Sequence, residues 1–232
     1  AGYGPNGAII HYHATEESNA EIKPEGLLLV DSGGQYLEGT TDITRTFAMG
    51  PVTSEEKKHF TTVLKSNLRL GCVKFKEGCT GENLDMVARQ PLWEAGIDYN
   101  HGTGHGVGFV LNVHETPARI NWKGRSDYGE NDSIKPGMIL SNEPGFYKEG
   151  AYGIRLENLI LCQEAEKTEY GRFLNFETLT IVPFDLDAVD VTLLDCKEKQ
   201  LLNDYHSRVY RELSAYMTEE ELVWLKNATR AV

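Results

Sequence analysis

Four acidic residues and one histidine stand in contexts that suit a pair of divalent metal ions. They are Asp31 in LLLVDSGGQY, Asp42 in GTTDITRTF, His105 in HGTGHGVGF, Glu143 in ILSNEPGFY and Glu157 in IRLENLILC. Each acid lies in or beside an apolar, strand-like run. Burying a carboxylate without a partner is costly, and two divalent cations neutralise four carboxylates. Taken singly, each residue has an ordinary reading. Asp31 before Ser-Gly-Gly is a turn former. Asp42 can serve as a structural hydrogen-bonding group, although aspartate is disfavoured in strands. Glu157 can face solvent by alternation or pair with Arg155. Glu143 before Pro-Gly closes a strand, and a loop histidine is more often structural than a ligand. Together the five contexts point to a dinuclear centre. One imidazole and four carboxylates form a hard, oxygen-rich set, which favours manganese and accommodates cobalt or zinc, over copper. Carboxylates can bridge two ions roughly 3.5 Å apart, and a water shared by such a pair becomes a nucleophile near neutral pH. That chemistry is metal-assisted hydrolysis.

Three further histidines, His11, His101 and His114, suit the other half of an amide hydrolysis. An oxyanion must be stabilised and a proton delivered to the leaving nitrogen. The glycines around His101 and His105 allow close approach of backbone and substrate. His13, His59 and His206 lack such a context and read as surface or ordinary structural residues.

The elements that must position these groups are legible from periodicity. Residues 7–13 (GAIIHYH) and 27–31 (LLLVD) read as strands. Residues 27–49 read as strand, glycine-rich turn at Gly33, Gly34 and Gly39, and strand, a hairpin able to bring Asp31 near Asp42. Thr53 and Glu56 form a capping box before the stripe Phe60, Val63, Leu64, Leu68, Cys72. A second helix begins after Thr80 and carries Leu84, Val87, Ala88 and Leu92, with Pro91 expected to kink or shorten it. Residues 99–116 are glycine-punctuated and cannot be a regular helix; residues 117–136 are polar and irregular. KPGMILSNEPGFY and YGIRLENLILC read as a second strand pair joined around Glu149 and Gly150, and NFETLTIVPF as one more strand. From Asp195 the pattern is helical, with Leu201, Leu202, Tyr205, Val209 and Leu213 on one face. A last helix starts at Thr218, capped with Glu221. The class is α+β with antiparallel strands dominating the sheet.

The chain has 232 residues, enough for one large domain or two small ones. Its net charge of −12 argues against a nucleic-acid partner. No apolar run approaches the roughly 20 residues that span a bilayer. The four cysteines form no CxxC pair, so a thiolate zinc site is not expected. The chain opens without an initiator Met or a signal peptide, and reads as a piece of a larger protein cut upstream.

The motifs GAIIHYH, LLLVDSGGQYLEGTTDITRTF, HGTGHGVGFVLNVHE, SNEPGFY and GIRLENLILC, in that order, resemble the C-terminal catalytic domain of aminopeptidase P, among the pita-bread metallopeptidases. NFETLTIVPF and the helical tail resemble the larger, three-domain members. The resemblance implies a curved, mainly antiparallel sheet covered by helices. It implies an enzyme that removes the amino-terminal residue from peptides with proline second. Carried over by motif, Asp31, Asp42, His105, Glu143 and Glu157 hold two manganese ions. Asp42 and Glu157 bridge them, Asp31 serves one ion, and His105 and Glu143 serve the other. Glu143 is the general base; His11, His101 and His114 line the substrate site. Arg155 and Tyr147 orient the ligands from behind. The division implied is a catalytic domain over residues 1–185, lacking its first helices and so less stable and less active than its parent, and a helical extension over 186–232. A cytoplasmic homodimer is expected of the full-length protein. Prolidase and methionine aminopeptidase share the ligand pattern, with prolidase the nearer rival. A metal-free peptide binder or a creatinase-like relative would have lost the carboxylates, which are all present here.

Overall fold

The computed structural model describes residues 1–110, 112–123 and 133–232. Alternation in residues 27–48 forms a long hairpin. Strand β2 (Leu27–Tyr36) pairs antiparallel with β3 (Gly39–Ala48), and β1 (Gly2–Tyr3) adds to the outer edge of β2. A six-stranded sheet follows in the spatial order β4 (Phe75–Lys76), β11 (Gly171–Thr178), β10 (Asn158–Thr168), β7 (Ile139–Asn142), β5 (Gly104–Val107), β6 (His114–Ile120). Strands β8 (Gly145–Lys148) and β9 (Tyr152–Arg155) form a separate hairpin. All these pairings are antiparallel. The α+β, antiparallel class expected from the sequence is the one observed.

Helix α1 (Ser54–Gly71) starts at the expected capping box, and its apolar stripe joins two cores. Leu64 packs with Leu27, Ile154, Leu156 and Phe184, while Leu70 packs with Leu84, Leu140, Ile160 and Leu174 beneath the six-stranded sheet. Helix α2 (Gly81–Glu94) covers that second core. It runs only three residues beyond Pro91, which sits buried in its last turn. Helix α3 (Cys196–Leu213) begins just after Asp195, where the helical pattern was expected to start, and α4 (Glu219–Ala228) begins at its expected Thr218 cap. Leu202 of α3 enters the first core, with Leu201 and Tyr205 packed against it, so this stripe is covered by its own chain.

Four expectations need correction. GAIIHYH is not a strand: Gly4–Ala8 is a 3-10 helix and residues 9–13 are irregular. Pro5 in its first turn and Gly4 at φ +54° favour the turn, and a Cβ on Gly153 would lie 1.8 Å from the Gly7 carbonyl. Gly33 and Gly34 do not form the turn but lie inside β2, opposite Asp42 and Thr41; Leu37 and Glu38 make the turn. A Cβ on Gly33 would meet the Thr41 carbonyl at 2.7 Å, so the glycine serves close strand approach. The irregular stretch begins after Ile120, later than expected, and residues 124–132 lie outside the described residues. NFETLTIVPF is strand only to Thr178.

The second predicted strand pair is interrupted, and the interruption matters. Asn142 pairs with Asn158 and Gly145 with Arg155, so the register is the same on either side of a gap. Residues 143–144 and 156–157 fill that gap, joined by Leu156 N–H to Pro144 O at 3.3 Å. One long hairpin therefore bends where Glu143 and Glu157 face each other. The bend exposes backbone acceptors that buried structure must satisfy. Asn67 of α1 does so, donating Nδ2 to Asn142 O at 2.9 Å and Leu156 O at 3.0 Å.

Candidate metal centre

The hairpins converge on a cleft of about 550 Å³ lined by Asp31, Asp42, His105, Glu143 and Glu157. His11, His101, His114 and Arg155 line it too. Asp31 lies opposite Thr44 and Asp42 opposite Gly33, two pairs along, so both aspartates share one face of the β2–β3 hairpin. Asp42, His105 and Glu157 each offer a ligand atom within 4.8 Å of the others. His105 Nε2 is 3.5 Å from Asp42 Oδ2 and 3.3 Å from Glu143 Oε1. The glutamates come from the hairpin bend, the aspartates from the β2–β3 hairpin and His105 from β5.

Three of the four carboxylates are anchored by residues outside the ligand set, while among the described residues Asp42 meets only His105. Thr44 Oγ1 donates to Glu157 Oε2 at 2.7 Å, and Arg155 Nε donates to Thr44 Oγ1 at 3.1 Å. Ser141 Oγ donates to Glu143 Oε1 at 3.2 Å and receives the His105 N–H at 2.9 Å. Arg155 Nη2 holds Asp31 Oδ2 at 2.6 Å. His105 Nδ1 donates to Gly106 O at 2.9 Å, which leaves Nε2 facing the carboxylates.

The electrostatics fit cations. Burial, then the neighbouring Asp42, push Glu143 up to about 7, although His105 and Arg155 pull it down. Burial raises Glu157 well above the carboxylate range, with Glu143 and Asp42 adding to the rise. Burial works against a charged His105, but Asp42 and Glu143 outweigh it and raise its pKa. Such crowding of buried acids is relieved by divalent ions, and one imidazole with four carboxylates is the donor set of a hard metal.

The other histidines divide. The His105 and His114 ring centroids are 4.2 Å apart, and those of His11 and His114 6.4 Å. His11 takes φ +55°, an uncommon conformation for a side-chain-bearing residue. His101 lines the cleft, yet both its nitrogens are engaged by protein. Nδ1 donates to Gly102 O at 2.7 Å, and Tyr147 donates its hydroxyl to Nε2 at 2.8 Å. Arg155 Nη1 donates to the same hydroxyl at 3.0 Å, giving a chain from His101 through Tyr147 and Arg155 to Asp31. Burial holds His101 neutral, its pKa lowered to about 4. His13 is exposed, His59 Nδ1 bonds the Tyr152 hydroxyl at 2.8 Å, and His206 is fully buried rather than at the surface.

Sequence reasoning missed the supporting layer. Thr44, Asn67 and Ser141 carry no motif of their own. Asp85 and Arg89 of α2 are both buried and bonded at 2.8 Å, and Arg89 reaches the His101 carbonyl at 2.7 Å. Their i, i+4 spacing on the apolar face of a helix was the available signal.

The sequence profile of metallopeptidase family M24 matches residues 1–164, and that of the C-terminal region of peptidase M24 matches residues 172–232. A Paracoccidioides brasiliensis protein described as a probable Xaa-Pro aminopeptidase P is 44% identical over 99% of this chain and 38% of its own length. Aminopeptidase P1 of Lotus japonicus is 46% identical over 99% of this chain and 35% of its own. The chain thus spans little more than a third of these relatives. The crystal structure of a Caenorhabditis elegans X-prolyl aminopeptidase, described as a cytosolic enzyme with a di-nuclear active site, superposes with a TM-score of 0.91. It is 38% identical, over 99% of this chain and 37% of that one. Prolidase from Pyrococcus furiosus superposes at 0.64, with 29% identity over 77% of this chain and 47% of its own. The fold is the pita-bread fold, and the chain belongs to metallopeptidase family M24.

Proposed function

We propose that this chain carries the dinuclear metal centre of an aminopeptidase that releases the first residue of peptides with proline second. The observation that carries the reading is the convergence of Asp31, Asp42, His105, Glu143 and Glu157 on one cleft, with three of them within 4.8 Å of one another. These five side chains hold two divalent ions, manganese by the hardness of the donor set. When bound, the ions activate water and polarise the scissile carbonyl.

The protein's own groups do the rest. Glu143, held at Oε1 by Ser141, takes a proton from the attacking water at its other oxygen. It returns that proton to the leaving nitrogen. His114 and His11, on the same wall of the cleft, donate to the developing oxyanion and steady the proline end. His101 acts through Tyr147 and Arg155 to fix Asp31.

Residues 1–185 form the catalytic unit in this reading and 186–232 a helical extension. Among the described residues no helix is long and apolar enough to cross a membrane. A cytoplasmic, homodimeric full-length protein is part of the proposal, supported by the nematode enzyme described as cytosolic and by the family resemblance. The test is hydrolysis with Mn²⁺ of a tripeptide with proline second, beside the matching Xaa-Pro dipeptide. Release of the first residue from the tripeptide supports the reading. Cleavage of the dipeptide alone would replace it with a prolidase, the class of the Pyrococcus neighbour.

A further inference from the structure

Arg45 lies in the TDITRT run, on the strand face opposite Asp42, and is only 3% exposed. A guanidinium buried this fully is normally matched by a carboxylate. Among the described residues Arg45 forms no ion pair. It spends its donors on neutral oxygens: Nε on Pro183 O at 3.2 Å, Nη1 on Thr44 O at 3.0 Å and on Glu157 O, and Nη2 on Asn158 Oδ1 at 2.7 Å and Val182 O at 2.7 Å. Nη2 also donates to the Tyr205 hydroxyl at 3.0 Å, and the guanidinium lies 4.3 Å from the centre of the Phe184 ring. Tyr205 belongs to α3, and its hydroxyl donates in turn to Val182 O at 2.7 Å.

The acceptors are not a random set. Glu157 and Asn158 sit at the hairpin bend; Thr44 bonds Glu157 twice, through Oγ1 to the carboxylate and through its carbonyl to the Glu157 N–H at 3.0 Å. Arg45 closes the third side by holding the Glu157 carbonyl. Glu157 is therefore gripped at carboxylate, N–H and C=O, and the grip on its carbonyl leads through Arg45 to helix α3. An arginine presents this rigid fork of donors; a lysine cannot.

We propose that Arg45 is a positioning residue which fixes the backbone of Glu157 and ties its placement to Tyr205 on helix α3. The α3 segment then serves the metal centre as well as the core. The inference rests on the dinuclear reading above. It assigns to Arg45 and Tyr205 a part in metal binding although neither touches the cleft.

The test compares Arg45→Lys, Tyr205→Phe and Val209→Ala in the whole chain. Tyr205→Phe keeps the ring that stacks 5.1 Å from Phe184 and loses only the hydroxyl. Val209 is a buried α3 residue with no polar link to Arg45, so Val209→Ala reports simple loosening of the helix. Three quantities are read: melting temperature without metal, the Mn²⁺ binding isotherm, and the visible absorption of the Co²⁺-loaded chain. Arg45→Lys is expected to weaken Mn²⁺ binding about 10- to 100-fold, the range for outer partners of metal ligands, and Tyr205→Phe about tenfold. Both shift the Co²⁺ bands. Val209→Ala lowers the melting temperature and leaves isotherm and bands as in the parent. If Arg45→Lys does not fold, Tyr205→Phe decides alone. Parent-like affinity and bands in Tyr205→Phe, or an affinity loss in Val209→Ala that matches its melting loss, would overturn the proposal while the metal reading stands. A parent chain that binds no ion would overturn both.

Discussion

Glu143 and Glu157 stand where paired strands stop pairing, and that fact joins their chemistry to the backbone. A side chain at such a bend points off the regular alternation, so two glutamates on neighbouring strands can face one another. Burial then makes them poor anions on their own, and Glu143 rises to about 7. The hydroxyl of Tyr147 tests how much depends on the layer behind them. It is shared between His101 Nε2 and Arg155 Nη1, and Arg155 holds Asp31. Tyr147→Phe should weaken Mn²⁺ binding about tenfold, as read by calorimetric titration of the folded variant, and should lower the metal-free melting temperature because two buried partners lose the hydroxyl. An unchanged isotherm would remove Tyr147 from the ligand-supporting set. The five candidate ligands were legible in the sequence because four are acids in or beside apolar runs and the fifth is an imidazole in a glycine-punctuated passage. Thr44 and Ser141 were not, since a strand threonine or serine looks the same whether it holds a carboxylate or nothing.

At the scale of elements, the helix starts and their apolar stripes were readable and the bend was not. Helices α1, α3 and α4 begin where their capping boxes stand, because those boxes satisfy N–H groups locally. A hairpin that keeps its register across a two-residue gap leaves no local mark; its cause is the pairing of Asn142 with Asn158 and Gly145 with Arg155. GAIIHYH misled for a related reason: its apolar run met a proline and a close Gly7–Gly153 backbone contact instead of a partner strand. The bend must have its acceptors satisfied, and Asn67 supplies two of those bonds from a buried position on α1. Asn67→Ala should therefore cost about 3 kcal/mol, since each buried acceptor left alone costs roughly 1–3 kcal/mol. Urea unfolding of parent and variant measures it; a loss below about 1 kcal/mol would mean the bend relaxes to find other donors.

At the scale of the molecule, the β2–β3 hairpin, the bent hairpin and helix α3 share one core, and the candidate metal site lies beside it. One buried group there senses acid. His206 accepts the Phe184 N–H on Nε2 at 3.1 Å, and its Nδ1 has no hydrogen-bond partner among the described residues. Burial, with Arg45 nearby, lowers its pKa to about 4. Below about pH 6.5 the unfolded chain takes up a proton that folded His206 refuses, so stability present above 6.5 is lost as pH falls toward 4. The loss attributable to His206 is about 3 kcal/mol. It is read as the difference between parent and His206→Gln in metal-free denaturant unfolding at pH 7 and pH 4. Equal acid sensitivity in the two would assign the effect elsewhere. The central claim is the dinuclear centre, and its most direct measurement is the manganese content of the dialysed chain beside Asp42→Asn. The account predicts two ions per chain in the parent and their loss in the variant. No bound ion in the parent, or two retained without the Asp42 carboxylate, would contradict it.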